Sequence, residues 1–359
     1  MTWGGTAVNG NGWRAERVLA GGIAAGLVMT ALIGVSGWWL ARPDFLPDTG
    51  PSWYVWQLPE RSTLIMAGVW GLYALHQVGF WALIWYGRRR VGTYTKGLHR
   101  VNMWALAFNG VFVLLHFAQT QLWYDALAQD VSIWSSQFSV IILLVWVLLM
   151  ESDRRGLFFG RTVPTPGGAG VRAWARKYHG YYFAWAAVYT FWYHPMETTS
   201  GHLVGFLYMF LILLQGSLFL TRAHVNRWWT VTLELAVLFH GAIVALNSPK
   251  QLWFQFGWGF ATIFVITQMH GLGLHRWAKW LIGSAYVVSA GVVVSLIGPH
   301  KLAELPRVPA AEYAGVFVLA ALFALGLRVA RRLRPTPVGA GPKAEVSGAV
   351  PGMGPAGRG

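Results

Sequence analysis

The residues with the greatest capacity for chemistry in this chain are histidines. Eleven occur in 359 residues, with no cysteine. Without thiols, disulfides, iron–sulfur clusters, thiolate-ligated haem and covalent c-type haem attachment are excluded. A metal or cofactor must be held by imidazole, carboxylate, thioether, phenol or backbone groups. Two histidines stand in matching surroundings. Val101-Asn102-Met103-Trp104 leads to Val113-Leu114-Leu115-His116, and Val225-Asn226-Arg227-Trp228 leads to Val237-Leu238-Phe239-His240. The Asn-to-His interval is 14 residues in both copies, and six of sixteen positions agree. A Gln-Leu-Trp follows each copy, at Gln121–Trp123 and Gln251–Trp253. Asn, Trp and His shared in register point to an internal repeat. On a helix, that interval leaves Asn and His only about 40° apart, on one face.

Three chemistries follow from these spacings. In the first, His116 and His240 meet at equal depth and act as axial ligands of a haem b, or as ligands of a non-haem metal, in a membrane redox protein. His99 and His224, at the starts of the same two segments, form a second pair. The layout resembles diheme cytochrome b bundles over these two helices alone. Its intervals of 17 residues (His99 to His116) and 16 residues (His224 to His240) are longer than that family's. Seventeen residues turn a side chain by about 100° and sixteen by about 160°, which separates the inner pair from the outer one in direction. The second chemistry is proton-coupled transport of a small solute. Glu234 and His270 fall at similar depth on consecutive helices and suit a proton relay. The third is a membrane-embedded metalloenzyme with His194, Glu197 and His202 as N/O ligands at the outer face. Pro195 prevents a regular helical arrangement of the first two. For each single histidine, interhelical hydrogen bonding by a neutral ring is the simpler expectation.

The elements that must position these groups are set by composition. Hydrophobic residues make up 55% of the chain and charged residues 11%, against roughly 25% charged in a soluble domain. So little charge cannot cover a water-soluble globule. The expected fold is all-α: a polytopic transmembrane helix bundle in a lipid bilayer. Ten apolar runs, each near the length needed to cross ~30 Å of hydrocarbon, lie at 18–41, 62–87, 101–124, 131–150, 178–196, 198–221, 228–249, 251–275, 280–300 and 313–330. The run after Arg17 is too long for a signal-peptide core and is read as a retained first helix. Gly22 and Gly26 within it have the small-xxx-small spacing of close helix packing.

Of the 28 Lys and Arg, all but Arg42, Arg61, Lys250, Lys301 and Arg307 fall on one side when the spans alternate. That asymmetry places both termini in the cytoplasm of a plasma-membrane protein. The net charge of +15 thus reports topology and attraction to anionic lipid, not nucleic acid. The repeat divides the chain into an N-terminal segment 1–17, a first four-helix half 18–151, a cytoplasmic loop 152–175 and a parallel second half 176–276. Two added helices over 277–333 and a disordered tail 334–359 complete it. No P-loop, dinucleotide fingerprint or nucleophile elbow is present. The solute or redox partner is not specified by any motif.

Overall fold

The computed structural model describes residues 14–50, 52–54, 56–247 and 252–333. The tail 334–359, most of the N-terminal segment, Lys250 and the first residue of the second Gln-Leu-Trp lie outside the described residues. Among the described residues every regular element is helical. The order is α1 (Ala15–Ser36), α2 (Thr63–Arg90), α3 (Arg100–Leu122), α4 (Ile133–Arg155), α5 (Gly168–Tyr193), α6 (Ser200–Ser217), α7 (Arg227–Leu246), α8 (Trp253–Ile266), α9 (Arg276–Ile297) and α10 (Arg307–Arg332). Eight of the ten are long and apolar enough to cross a bilayer. α5 falls short because its first turns carry Arg172, Arg176, Lys177 and His179. α8 has 14 residues, about 21 Å of rise, and gives way to a 3-10 turn over Gln268–Gly271.

The outer surface confirms the solvent. Large apolar side chains face outward along most helices, among them Val28, Leu64, Val78, Leu114, Val287 and Leu296, all more than half exposed. Water would penalise that surface by roughly 25 cal/mol per Å²; lipid does not. The chain is a polytopic helical membrane protein.

α5 and α6 are the central elements. α5 packs on α2, α4 and α6, and α6 on α1, α3, α5 and α7. Around them Phe80, Phe191, Trp192, Tyr193 and Phe206 form the main core. α1 closes on α6 as its glycine spacing predicts: a Cβ on Gly22 would lie 2.6 Å from the Leu214 side chain. The two ends of the bundle differ in charge. One, here the basic end, carries Arg88–Arg90, Arg154, Arg155, Arg172, Arg176 and Arg276. The far end carries the loops 40–62, 123–132 and 194–199, joined by Arg42–Glu197 and by Arg61 with Asp125 and Asp130.

The structure does not confirm two related halves. α3 and α7 both pack on α6, which stands between them. The matched asparagines act differently. Asn226 is the N-cap of α7, accepting the Trp228 and Trp229 N–H groups. Asn102 sits a turn inside α3, completes a capping box with His99, and donates to the Ser217 and Phe219 carbonyls of α6 and its exit. The repeat is three residues out of register with the helix starts, so matched residues meet different surroundings.

α10 takes an unexpected path. Gly315 meets Val145 of α4, while Phe323, eight residues on, meets Trp146. The helix therefore crosses α4 steeply. Its buried stripe of Pro309, Glu312, Tyr313, Val316, Ala320 and Ala324 runs from α8 over α4 to the start of α5. Val318, Leu322 and Leu325 face outward.

Candidate functional site

Arg155, Glu234 and Glu312 are buried toward the basic end, where α4, α7, α8 and α10 meet. α4 ends in Arg154-Arg155-Gly156. Gly156 has φ 72°, and a Cβ there would come within 2.4 Å of the Gly160 backbone, so the tight return over Leu157–Arg161 requires glycine. That return divides the two arginines. Arg154 points outward to Glu151 and the Gly271 carbonyl. Arg155 turns inward, its side chain 0% exposed. Its Nη1 donates to both carboxylate oxygens of Glu234, at 2.9 and 2.7 Å. Its Nε and Nη2 have no partner. Gly271 admits the arginine stem, since a Cβ there would lie 2.8 Å from that of Arg155.

Beside this ion pair is a cavity of about 10 Å³, space for one water. Glu234, Gln268 and Glu312 line it, with Leu144, Leu148, Val237, Phe260 and Ile263 as the apolar walls. Glu312 is 4% exposed and its Oε2 has no hydrogen-bond partner; the same holds for Oε1 of Gln268, at 7%. Next to Glu312, Tyr313 has its hydroxyl 2.7 Å from Thr267 Oγ1, which donates to the Leu157 carbonyl at 2.5 Å. This pins the end of α8 to the α4 return. His270, the expected partner of Glu234, is not in contact with it. Its Nε2 donates to the Val265 carbonyl at 3.2 Å, and its ring packs on Gly160 and Phe159. Arg155 takes its place.

A second concentration, toward the far end, contains His76, His116, His194, His202 and His240. His76 is fixed as one neutral tautomer: Trp192 Nε1 donates to its Nδ1 at 3.1 Å, and its Nε2 donates to Asn109 Oδ1 at 2.8 Å. His116 is wholly buried. Its Nε2 donates to the His194 carbonyl at 2.9 Å, and its Nδ1 lies 2.9 Å from Gln119 Oε1. Its ring is 4.3 Å from that of Trp192 and 4.9 Å from that of Phe191. The ring of His240 lies over Gly205 of α6. The second pair is tied down too, His99 Nε2 to Thr95 Oγ1 and His224 Nδ1 to the Gln215 carbonyl. Of these four histidines, His99, His116 and His224 each have a ring nitrogen so bonded, whereas His240 Nδ1 has no partner.

His194 follows the end of α5, with its Nε2 2.6 Å from Tyr54 Oη and its ring centroid 5.5 Å from that of His202. Burial holds His194 well below the ordinary imidazole value, and the charges of His202, His240 and His116 push it the same way. Glu197 turns away from them. Arg42 Nε and Nη2 donate to it at 2.7–3.0 Å, with Tyr124 Oη and the Thr198 N–H. Burial pushes the Glu197 carboxyl toward a higher pKa, but the Arg42 and Thr198 hydrogen bonds outweigh that and hold it below the usual carboxylate range. His194, Glu197 and His202 thus do not form one ligand set, and among the described residues no three His, Asp or Glu are placed to hold a metal ion. What remains is a group of unmade bonds: His202 Nε2, His240 Nδ1 and Trp56 Nε1 are all buried without partners. Trp56 lies 6.3 Å, centroid to centroid, from both His194 and His202.

Sequence reasoning missed Arg155, Gln268, Glu312 and Trp56. Arg155 was absorbed into the basic loop charge, and Glu312 stands one residue before the apolar run that begins at Tyr313. A carboxyl adjoining a spanning run was the available signal. Comparison with known proteins adds no relative: no family model, curated protein or solved structure matches this chain.

Proposed function

We propose that this membrane protein couples the movement of a small solute to a proton, through the ionisable groups at the α4–α7–α8–α10 junction. The observation that supports this is the Arg155–Glu234 ion pair beside a water-sized cavity shared with Glu312. Ionisable groups at membrane depth are costly and most often serve ion or substrate passage. These are incompletely bonded, which a purely structural network would avoid. The positive-inside asymmetry favours a plasma membrane with the basic end in the cytoplasm. Glu234 acts here with Arg155 rather than with His270. The test is uptake of labelled small solutes into proteoliposomes under an inward proton gradient. Uptake that a protonophore abolishes, and that Glu234→Gln lacks, supports the reading; uptake indifferent to both contradicts it.

A second reading rests on the partnerless His202 Nε2 and His240 Nδ1. With a shift of His194 from Tyr54, these rings suit a non-haem first-row metal at the far end. Elemental analysis of the purified protein, with and without His202→Ala, tests it.

A further inference from the structure

We propose that Glu312 is a single-proton site: its carboxyl takes up and releases one proton across the cavity it shares with Gln268 and Glu234, with one water as the bridge. This deepens the transport reading, and its part in transport rests on that reading; the proton site itself stands on geometry alone.

Ionised, Arg155, Glu234 and Glu312 sum to one uncompensated negative charge in an apolar enclosure. Arg155 is committed to Glu234, through two bonds from Nη1. Among the described residues no cation is bonded to Glu312. The other groups on the surrounding elements are engaged or turned outward. Glu151 and Arg154 of α4 pair with each other, Arg172 of α5 with Asp153, and His270 with a backbone carbonyl. Tyr313, beside Glu312 on α10, bonds Thr267. α8 contributes no titratable residue. One positive charge is therefore missing, and the cavity has room for little more than a water. A proton meets both conditions. As an acid, Glu312 gains a donor, and Gln268 Oε1 is a partnerless acceptor on the same cavity. When the proton leaves, it passes to the bridging water and the carboxylate keeps the electron pair.

The path of α10 makes this site responsive. Glu312 comes to the cavity from a helix that crosses the bundle, while Glu234 comes from one of its upright members. Charging Glu312 disfavours the seating of that helix over α4 and α8, so proton loss and α10 displacement are linked.

The test is infrared difference spectroscopy of the reconstituted full chain between about pH 5 and about pH 9, following the carbonyl stretch of protonated carboxylic acids. The expected result is a titrating band that shifts in heavy water, is lost in Glu312→Gln, and persists in Glu304→Gln. Glu312→Asp, which keeps the acid, retains a displaced band and serves if the amide variant does not fold. A band unchanged in folded Glu312→Gln overturns the proposal. So does a band abolished at constant pH by exchanging potassium for sodium, which marks a sodium site. None of these readings requires a transported solute, so failure of the transport assay leaves them separate.

Discussion

Replacing Arg155 with methionine removes the only cation bonded to Glu234 among the described residues. Both partners are enclosed, the arginine side chain at 0% exposure and the glutamate at 8%. Removing one member of such a pair leaves an uncompensated charge, which costs about 3–5 kcal/mol. Glu234→Leu leaves Arg155 stranded and should cost as much. The double replacement behaves differently. Arg155 already has Nε and Nη2 unbonded, so the pair repays its desolvation incompletely. Exchange of both for apolar groups of similar volume should therefore lie within about 1–2 kcal/mol of wild type, or on the stable side of it. The measurement is reversible unfolding of the purified protein in mixed micelles of increasing denaturing-detergent content, run as a double-mutant cycle. The expected coupling is several kcal/mol, because two large single losses nearly cancel. Single variants that each lose under about 1 kcal/mol, or losses that simply add, would refute the claim that these two charges compensate one another out of water.

Other outcomes follow from the same contacts. His116→Ala should cost about 2–5 kcal/mol, since it empties a packed volume and strands the His194 carbonyl; His240→Ala, which breaks no bond to its buried Nδ1, should cost far less. Thermal unfolding of the two variants, side by side, checks this. His224, in the turn between α6 and α7, is pushed down to about 4 by burial. An imidazole that charges more readily when unfolded draws stability away as pH falls from about 6.5, its ordinary value, toward about 4, and His224→Gln should flatten that part of the melting-temperature profile. Glu197 has the depressed value of a bonded carboxylate, so its contribution is complete above about pH 4.3 and is lost on further acidification through its folded value. Hydrogen exchange at the loop 194–199 should rise there, and Arg42→Ala should remove the acid dependence. A Cβ on Gly205 would lie 3.0 Å from His240 Cε1; Gly205→Ala should displace that ring and diminish any metal retained at the far end, with melting little altered.

Much of the scaffold was legible in the sequence because lipid imposes a simple rule: long uncharged runs become helices, and arginines collect at their ends. α1, α2, α3 and α9 follow it closely. Where protein replaces lipid as the neighbour, the rule loses force. α5 starts ten residues before the apolar run expected at Tyr178; its first turns bury Arg172 and leave Arg176 and Lys177 exposed at the basic end. The Ala-rich run of α10 suits a span or the membrane interface alike, and its hydropathy alone does not disclose the crossing of α4. The site was less legible than the fold. Histidines drew notice by number, yet His76 and His116 are bonded into the core by ordinary interhelical contacts. Arg155 and Glu312 were hidden by position, each at the margin of an apolar run. Only the return at Gly156 and the crossing of α10 carry them inward, and neither is a property of local sequence.

On the proposed reading, a proton moves together with solute through the junction of α4, α7, α8 and α10. The most direct measurement follows the proton itself. Vesicles containing the protein and a trapped pH indicator are given solute on one side, without an imposed gradient. Internal acidification in step with solute entry, absent in Glu234→Gln and in Glu312→Gln, is the predicted result. Solute entry with no accompanying change in internal pH, or acidification that survives both replacements, would contradict it.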